Sequence, residues 1–132
     1  MLRLIAVGVL AGVAVAGPAA AGAAGAAGGA AKTAELTLTR HSEGHDPRTV
    51  TLSCGPDGGG HPYAADACGA LWAADGDFDQ LSGTTDPDDC PLQPAPVSVR
   101  AEGTWAGVPV DVAKDYLNPC FLDADAGVVF RF

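Results

Sequence analysis

The sequence predicts an α+β fold, an antiparallel sheet of five strands with helix packed on one face. Three observations predict it. Five stretches alternate apolar and polar residues, and one repeats its apolar residues at spacings of three and four. Most links between the strand candidates are short enough for antiparallel neighbours. The 132 residues suffice for one domain, not two, and no internal repeat is visible.

The amino terminus stands outside that fold. Arg3 precedes the apolar stretch "LIAVGVLAGVAVA", residues 4–16, and "GPAAAG" follows with small residues in an A-x-A arrangement. That is the layout of a secretory signal, expected over 1–21 with cleavage between 21 and 31. The uncharged tract runs on to Ala31, but its second half is Gly and Ala, which gain little from hydrocarbon; a signal is favoured over a membrane anchor. Residues 22–32 read as a flexible Ala/Gly-rich segment with no core of their own.

"TAELTLTR" places Leu36 and Leu38 on one side and Glu35, Thr37 and Thr39 on the other, a half-buried strand. "HSEGHDP" breaks it with turn formers, and "TVTLSC" resumes the period of two with Val50, Leu52 and Cys54 on one face. "GPDGGGHP", residues 55–62, has four glycines and two prolines in eight positions and is expected to be irregular. The helix is expected over the stripe Leu71, Ala74, Phe78 and Leu81, with Asp66 as N-cap and Gly83 as stop. Further strands follow at Val97, Val99 and Ala101 and at Val108, Val110 and Val112, with "AG" at 106–107 for the turn between them. The fifth strand is expected in the terminal "AGVVFRF", with Val128, Phe130 and Phe132 on one face.

The net charge of −9 and pI near 4.4, with seven scattered Lys and Arg, argue against nucleic acid and anionic membranes as partners. Export makes the four cysteines, Cys54, Cys68, Cys90 and Cys120, read as two disulfides, for which three pairings exist. Pairing neighbours would close one short and one long loop, worth about 3 and about 4 kcal/mol in chain entropy. That is comparable with the whole net stability of so small a domain.

Three constellations resemble reactive sites and fail on chemistry. "HSEGH" spaces His41 and His45 four apart, but a zinc protease needs Glu directly after the first histidine on a helix, and Gly44 and Pro47 oppose one; a surface loop is expected. "DGDFDQLSGTTD", residues 75–86, mimics a calcium loop. Gln80 occupies its turn-glycine place and Asp86 the place of its bidentate Glu, so a solvated helix face is expected. Cys54, His61 and Cys68 could hold zinc only if the thiols stayed reduced. There is no G-x-S-x-G elbow. No metal, no cofactor and no enzymatic activity are expected.

"DDCPLQPAPV", residues 88–97, is too polar and proline-punctuated for a core strand, yet it spends a cysteine on fixing its position. Pro91 sets its own φ and pushes Cys90 toward extended backbone, so a disulfide at Cys90 would make a rigid segment offering Leu92 to solvent. A protease binds substrate in extended form, and a segment already so held loses little entropy on docking. After cleavage beyond Leu92 the staple would keep the ends together and favour resealing, the behaviour of a standard-mechanism inhibitor.

At these residues the chain resembles the Streptomyces subtilisin inhibitors, a family of secreted serine protease inhibitors. The resemblance spans residues 33–132 and rests on "VTLSC", "GGHPYAADAC", "CPL", "GTWAGVPV", "NPC" and the terminal "VVFRF". It implies disulfides Cys54–Cys68 and Cys90–Cys120, a five-stranded antiparallel sheet with two helices, the second near Cys120–Asp125, and a homodimer formed through the sheet. It also implies a reactive loop of Asp89, Cys90, Pro91, Leu92, Gln93 and Pro94, with Leu92–Gln93 as the scissile bond. Asn118, which by itself reads as a turn residue before Pro119, becomes the loop's support; His61 and Trp105 become structural positions.

The partner so implied is a subtilisin-class serine endopeptidase, since Leu92 suits a broad apolar pocket whereas a trypsin-type pocket wants Lys or Arg. No membrane partner is expected after signal removal. Two residues depart from what a subtilisin-like groove takes: Asp89, three before Leu92 where an apolar side chain is usual, and Pro94, which lacks an N–H to donate. They favour the alternative, a non-inhibitory secreted binding or structural protein retaining the scaffold. A secreted hydrolase has only scattered polar residues behind it.

Overall fold

A computed structural model describes residues 33–132. The expected signal at 1–21, its cleavage between 21 and 31, and the Ala/Gly-rich segment 22–32 lie outside the described residues. Five strands form one antiparallel sheet: β1 (Ala34–Ser42), β2 (Arg48–Cys54), β3 (Gly58–Gly59), β4 (Val97–Trp105) and β5 (Val108–Tyr116), in the order β3-β2-β1-β4-β5. Two helices, α1 (Ala64–Ala73) and α2 (Pro119–Ala126), pack on it.

Alternation became burial in β1, β2 and β4. In β5, Val108 is exposed and Val110 and Val112 are only partly buried, because no described helix covers that edge strand as fully. β1 pairs Leu36 with Leu52 on one side, and Leu38 with Ala101 on the other, so that Ala34, Leu36, Leu38, Leu52, Val97, Val99 and Ala101 share one buried face. Ala67, Cys68 and Leu71 of α1 and Leu122 and Ala126 of α2 complete the core from the helical layer. The opposite face carries Glu35, Thr37, Glu102 and Asp111 into solvent. The turn at 106–107 closes the β4–β5 hairpin with positive φ at both Ala106 and Gly107, the backbone a tight two-residue hairpin requires.

Three expectations are corrected. The terminal "AGVVFRF" is no strand: Gly127–Phe130 is a 3-10 turn. Gly127, with φ of 57°, turns the chain off α2 and sends it into the core instead of along a sheet edge. Val129 and Phe130 are buried, and their carbonyls accept from the His61 ring and the Arg40 guanidinium, bonds a strand would have supplied from its neighbour. The fifth strand is β3 instead, inside the stretch expected to be irregular; two glycines pair with Leu52 and Ser53.

The helix also lies earlier than its stripe. α1 begins after Tyr63, with Asp66 in its first turn and no side-chain cap, and ends at Ala73 with Ala74 as its C-cap. Asp75 and Gly76 then take positive φ, and a Cβ on Gly76 would meet the Trp105 ring at 2.3 Å. The chain therefore breaks where the Trp105 ring packs at a tilt against Trp72, with ring centroids 4.1 Å apart. Phe78 and Leu81 are buried as the stripe required, from a separate 3-10 turn, Phe78–Gln80.

Both disulfides are formed, Cys54–Cys68 tying β2 to α1 and Cys90–Cys120 tying the segment before β4 to α2. The segment after α1 crosses α2 at backbone contact: the Gly83 N–H donates to the Ala124 carbonyl, and a Cβ at Gly83 would lie 1.7 Å from the Asp123 carbonyl oxygen. Gly83→Ala must push two backbones apart and is expected to destabilise by roughly 3 kcal/mol, read as a lower urea midpoint at unchanged slope.

Candidate functional site

Residues 90–96 leave the acidic turn Pro87–Asp89 and run without regular structure to β4. The turn is tied by its own groups. The Asp86 carboxylate accepts from the Asp88 N–H, and the Asp89 and Cys90 N–H groups donate to the carbonyls of Asp86 and Pro87. Cys90 then adopts extended backbone (φ −78°, ψ 139°), as expected for a residue before proline. Pro91 through Pro96 are all exposed, and Leu92 most conspicuously, at 78 %.

What holds this exposed segment is the junction of β5 and α2. The Cys90–Cys120 disulfide fixes its start, and the Ala95 N–H fixes its end by donating to the Leu117 carbonyl at 2.9 Å. Between them stands Asn118, which is 4 % exposed. Its Nδ2 donates to the carbonyl of Pro91 at 2.7 Å and to that of Gln93 at 3.1 Å, the residues on either side of Leu92. Its Oδ1 accepts from the N–H groups of Cys120 and Phe121 as the N-cap of α2.

One buried amide thus uses donors on the loop and acceptor on the helix. Among the described residues no hydrogen bond engages the backbone of Leu92 itself, leaving its carbonyl and N–H to solvent or a partner. Of the residues expected in the loop, Asp89 and Pro91 to Pro94 are exposed, Cys90 is buried with its disulfide, and Asn118 lies beneath them.

Sequence reasoning missed the Leu117 anchor and the cap. The cap carried a legible signal: Asn before Pro is the pattern of an N-cap followed by proline in the first helical turn. The other candidates do not converge. Asp77 caps its own turn and Asp79 pairs with Lys114 at 2.8 Å, so the "DGDFDQ" acids serve local roles. His45 bonds the Glu43 carbonyl in a turn, and His41 is exposed on β1. Among the described residues one group, Cys54, Asp57 and Cys68, has metal-like spacing, and its two sulfurs are bonded to each other. His61 is buried, one ring nitrogen accepting from the Tyr63 N–H and the other meeting the Val129 carbonyl, a structural post far from the loop in role.

The sequence model of the subtilisin inhibitor-like family matches residues 30–118. Protease inhibitor SIL-V2 of Streptomyces orinoci is 44 % identical over 86 residues, 64 % of this chain and 79 % of that protein. A probable subtilase-type protease inhibitor of Streptomyces avermitilis is 38 % identical over 130 residues, 95 % of this chain and 87 % of its own. Among solved structures, Streptomyces caespitosus sermetstatin in complex with Bacillus licheniformis subtilisin superposes with a TM-score of 0.60 at 28 % identity, over 76 % of this chain and 99 % of that one.

Asn118→Ala removes the α2 cap and both loop bonds at once. A loss of about 2 kcal/mol is expected, measured by equilibrium unfolding, because one cap is worth about 1 kcal/mol and the freed loop carbonyls can only partly recover with water.

Proposed function

This chain belongs to the subtilisin inhibitor-like family, and we propose from that premise that it inhibits serine endopeptidases of the subtilisin class, and chymotrypsin-like ones, by the standard mechanism, with Leu92–Gln93 as the reactive bond. The observation that carries the reading is the single Asn118 amide gripping the carbonyls on both sides of an exposed Leu92.

The physical sequence is short. Leu92 enters an apolar specificity pocket, and its free backbone groups pair with the cleft in substrate fashion. Because the disulfide, Asn118 and the Ala95–Leu117 bond already restrict the loop, docking forfeits little conformational entropy. The protease's serine attacks the Leu92 carbonyl, forming an acyl-enzyme and a new amine at Gln93. That amine stays close, since Gln93 remains bonded to Asn118 through its carbonyl, and at such effective concentration it reverses the cleavage. The enzyme is held by a bond it cannot finish breaking.

Export belongs to the same reading. Its support is the amino-terminal pattern and two formed disulfides, which persist outside a reducing cytosol; among the described residues no helix is long and apolar enough to cross a membrane. A homodimer through the sheet is included, supported by an outer sheet face that no described element covers. The rival reading, a non-inhibitory scaffold, is favoured by Asp89, exposed and without a charge partner among the described residues, and by Pro94.

Titration of purified protein against subtilisin and trypsin separates these readings. Stoichiometric loss of subtilisin activity is expected, with Leu92→Lys shifting the preference toward trypsin by about a hundredfold or more. Full subtilisin activity at equimolar protein, or a preference untouched by Leu92→Lys, would remove Leu92 from the contact.

A further inference from the structure

The β1–β2 hairpin contains an arrangement the inhibitory reading does not use. Arg40 and Arg48 are direct register partners across the two antiparallel strands. Like charges so placed repel, and sheets ordinarily avoid them. The pair is the more anomalous in a chain with seven Lys and Arg against sixteen Asp and Glu, where a carboxylate neighbour would be easy to supply.

Among the described residues no carboxylate comes within ion-pair distance of either guanidinium. Arg40 donates one bond, from Nη1 to the Phe130 carbonyl at 3.1 Å, and Arg48 makes none. Burial, and then the charge of Arg48, hold the Arg40 guanidinium below its ordinary value, with Asp123 opposing from a distance. Both arginines line one cleft of about 300 Å³, together with Ser42, His45, Asp46 and Phe132.

We infer that this cleft binds a tetrahedral oxyanion, phosphate or sulfate, free or as a monoester. A dianion between two guanidinium groups turns the repulsive pair into a clamp, since each planar fork matches the oxygens of such an anion. The Ser42 hydroxyl adds a donor in the same cleft. Phe132 supplies an apolar wall for the organic part of an ester, and the volume sits at the small end of ligand pockets, roughly 300–1,000 Å³. Asp46, which also lines the cleft, disfavours extended polyanions over a compact one.

Calorimetry and thermal melting with inorganic phosphate, sulfate and phenyl phosphate, at ionic strength held constant with chloride, test the assignment. Saturable binding is expected, with a melting rise of roughly 5 °C at ten times the dissociation constant. Arg48→Gln is expected to weaken binding tenfold or more. Tighter phenyl phosphate than phosphate would name an ester as the ligand, and equal affinities the free anion; either supports the clamp. Both anions also stabilise proteins generally by exclusion from their surface, so an equal rise in wild type and Arg48→Gln overturns the inference. In chloride alone Arg48→Gln, relieved of repulsion, is expected to melt no lower than wild type. A clear drop would give Arg48 a structural partner within the protein and overturn it equally.

Discussion

Everything exposed in this protein's loop depends on one buried amide. Asn118 has two donors and one acceptor oxygen to distribute, and each is committed: the donors to the carbonyls of Pro91 and Gln93, the oxygen to the first N–H groups of α2. Because the same side chain caps the helix and carries the loop, neither can shift without loosening the other. A hydrogen bond inside low-dielectric surroundings is strengthened by its neighbours, and a shared partner makes them cooperative. The Cys90–Cys120 disulfide enters α2 two residues after Asn118, so covalent and polar restraints meet within three residues.

The rest of the fold can be understood as holding that junction still. β5 delivers Leu117 and Asn118 to one end of the sheet, and its pairing with β4 sets where the loop must return. α2 is held from behind by the backbone contact at Gly83 and by Asp123, whose carboxyl sits below the usual range because the Arg131 guanidinium donates to it. On the edge strand, Lys114 and Tyr116 both reach Asp125 of α2, pinning the helix to the sheet beside the loop. The other disulfide secures the distant corner, where β2 meets α1. One cystine thus joins a strand to a helix, and the other joins irregular backbone to a helix.

The shape of the loop and the chemistry of its surface follow from different residues. The scaffold bonds reach main-chain carbonyls, so they are indifferent to the side chains of Leu92, Gln93 and Asp89. Those side chains face solvent. Asp89 and Pro94 therefore coexist with a well-supported loop, because the supporting bonds do not reach their side chains.

Much of this was written locally in the chain. Period-two alternation places Leu36, Leu38, Leu52, Val99 and Ala101 on one face in any register that buries them, and a proline after Cys90 dictates extended backbone there. The resemblance added the cystine pairing and the second helix, and both stand in the structure. What local pattern could not determine were elements whose partners are remote. "VVFRF" alternates as a strand does, yet its carbonyls are claimed by His61 and Arg40, 68 and 90 residues away, and it folds as a 3-10 turn. Gly58 and Gly59 have no side-chain pattern to read and became a strand because β2 had a free edge. The stripe through Phe78 and Leu81 forecast burial correctly but not the break at Gly76, which Trp105 imposes from β4. Alternation and proline geometry are properties of neighbours and so belong to the sequence; the reach of one amide to two carbonyls belongs to packing, because only the closed fold brings residue 118 beneath residue 92.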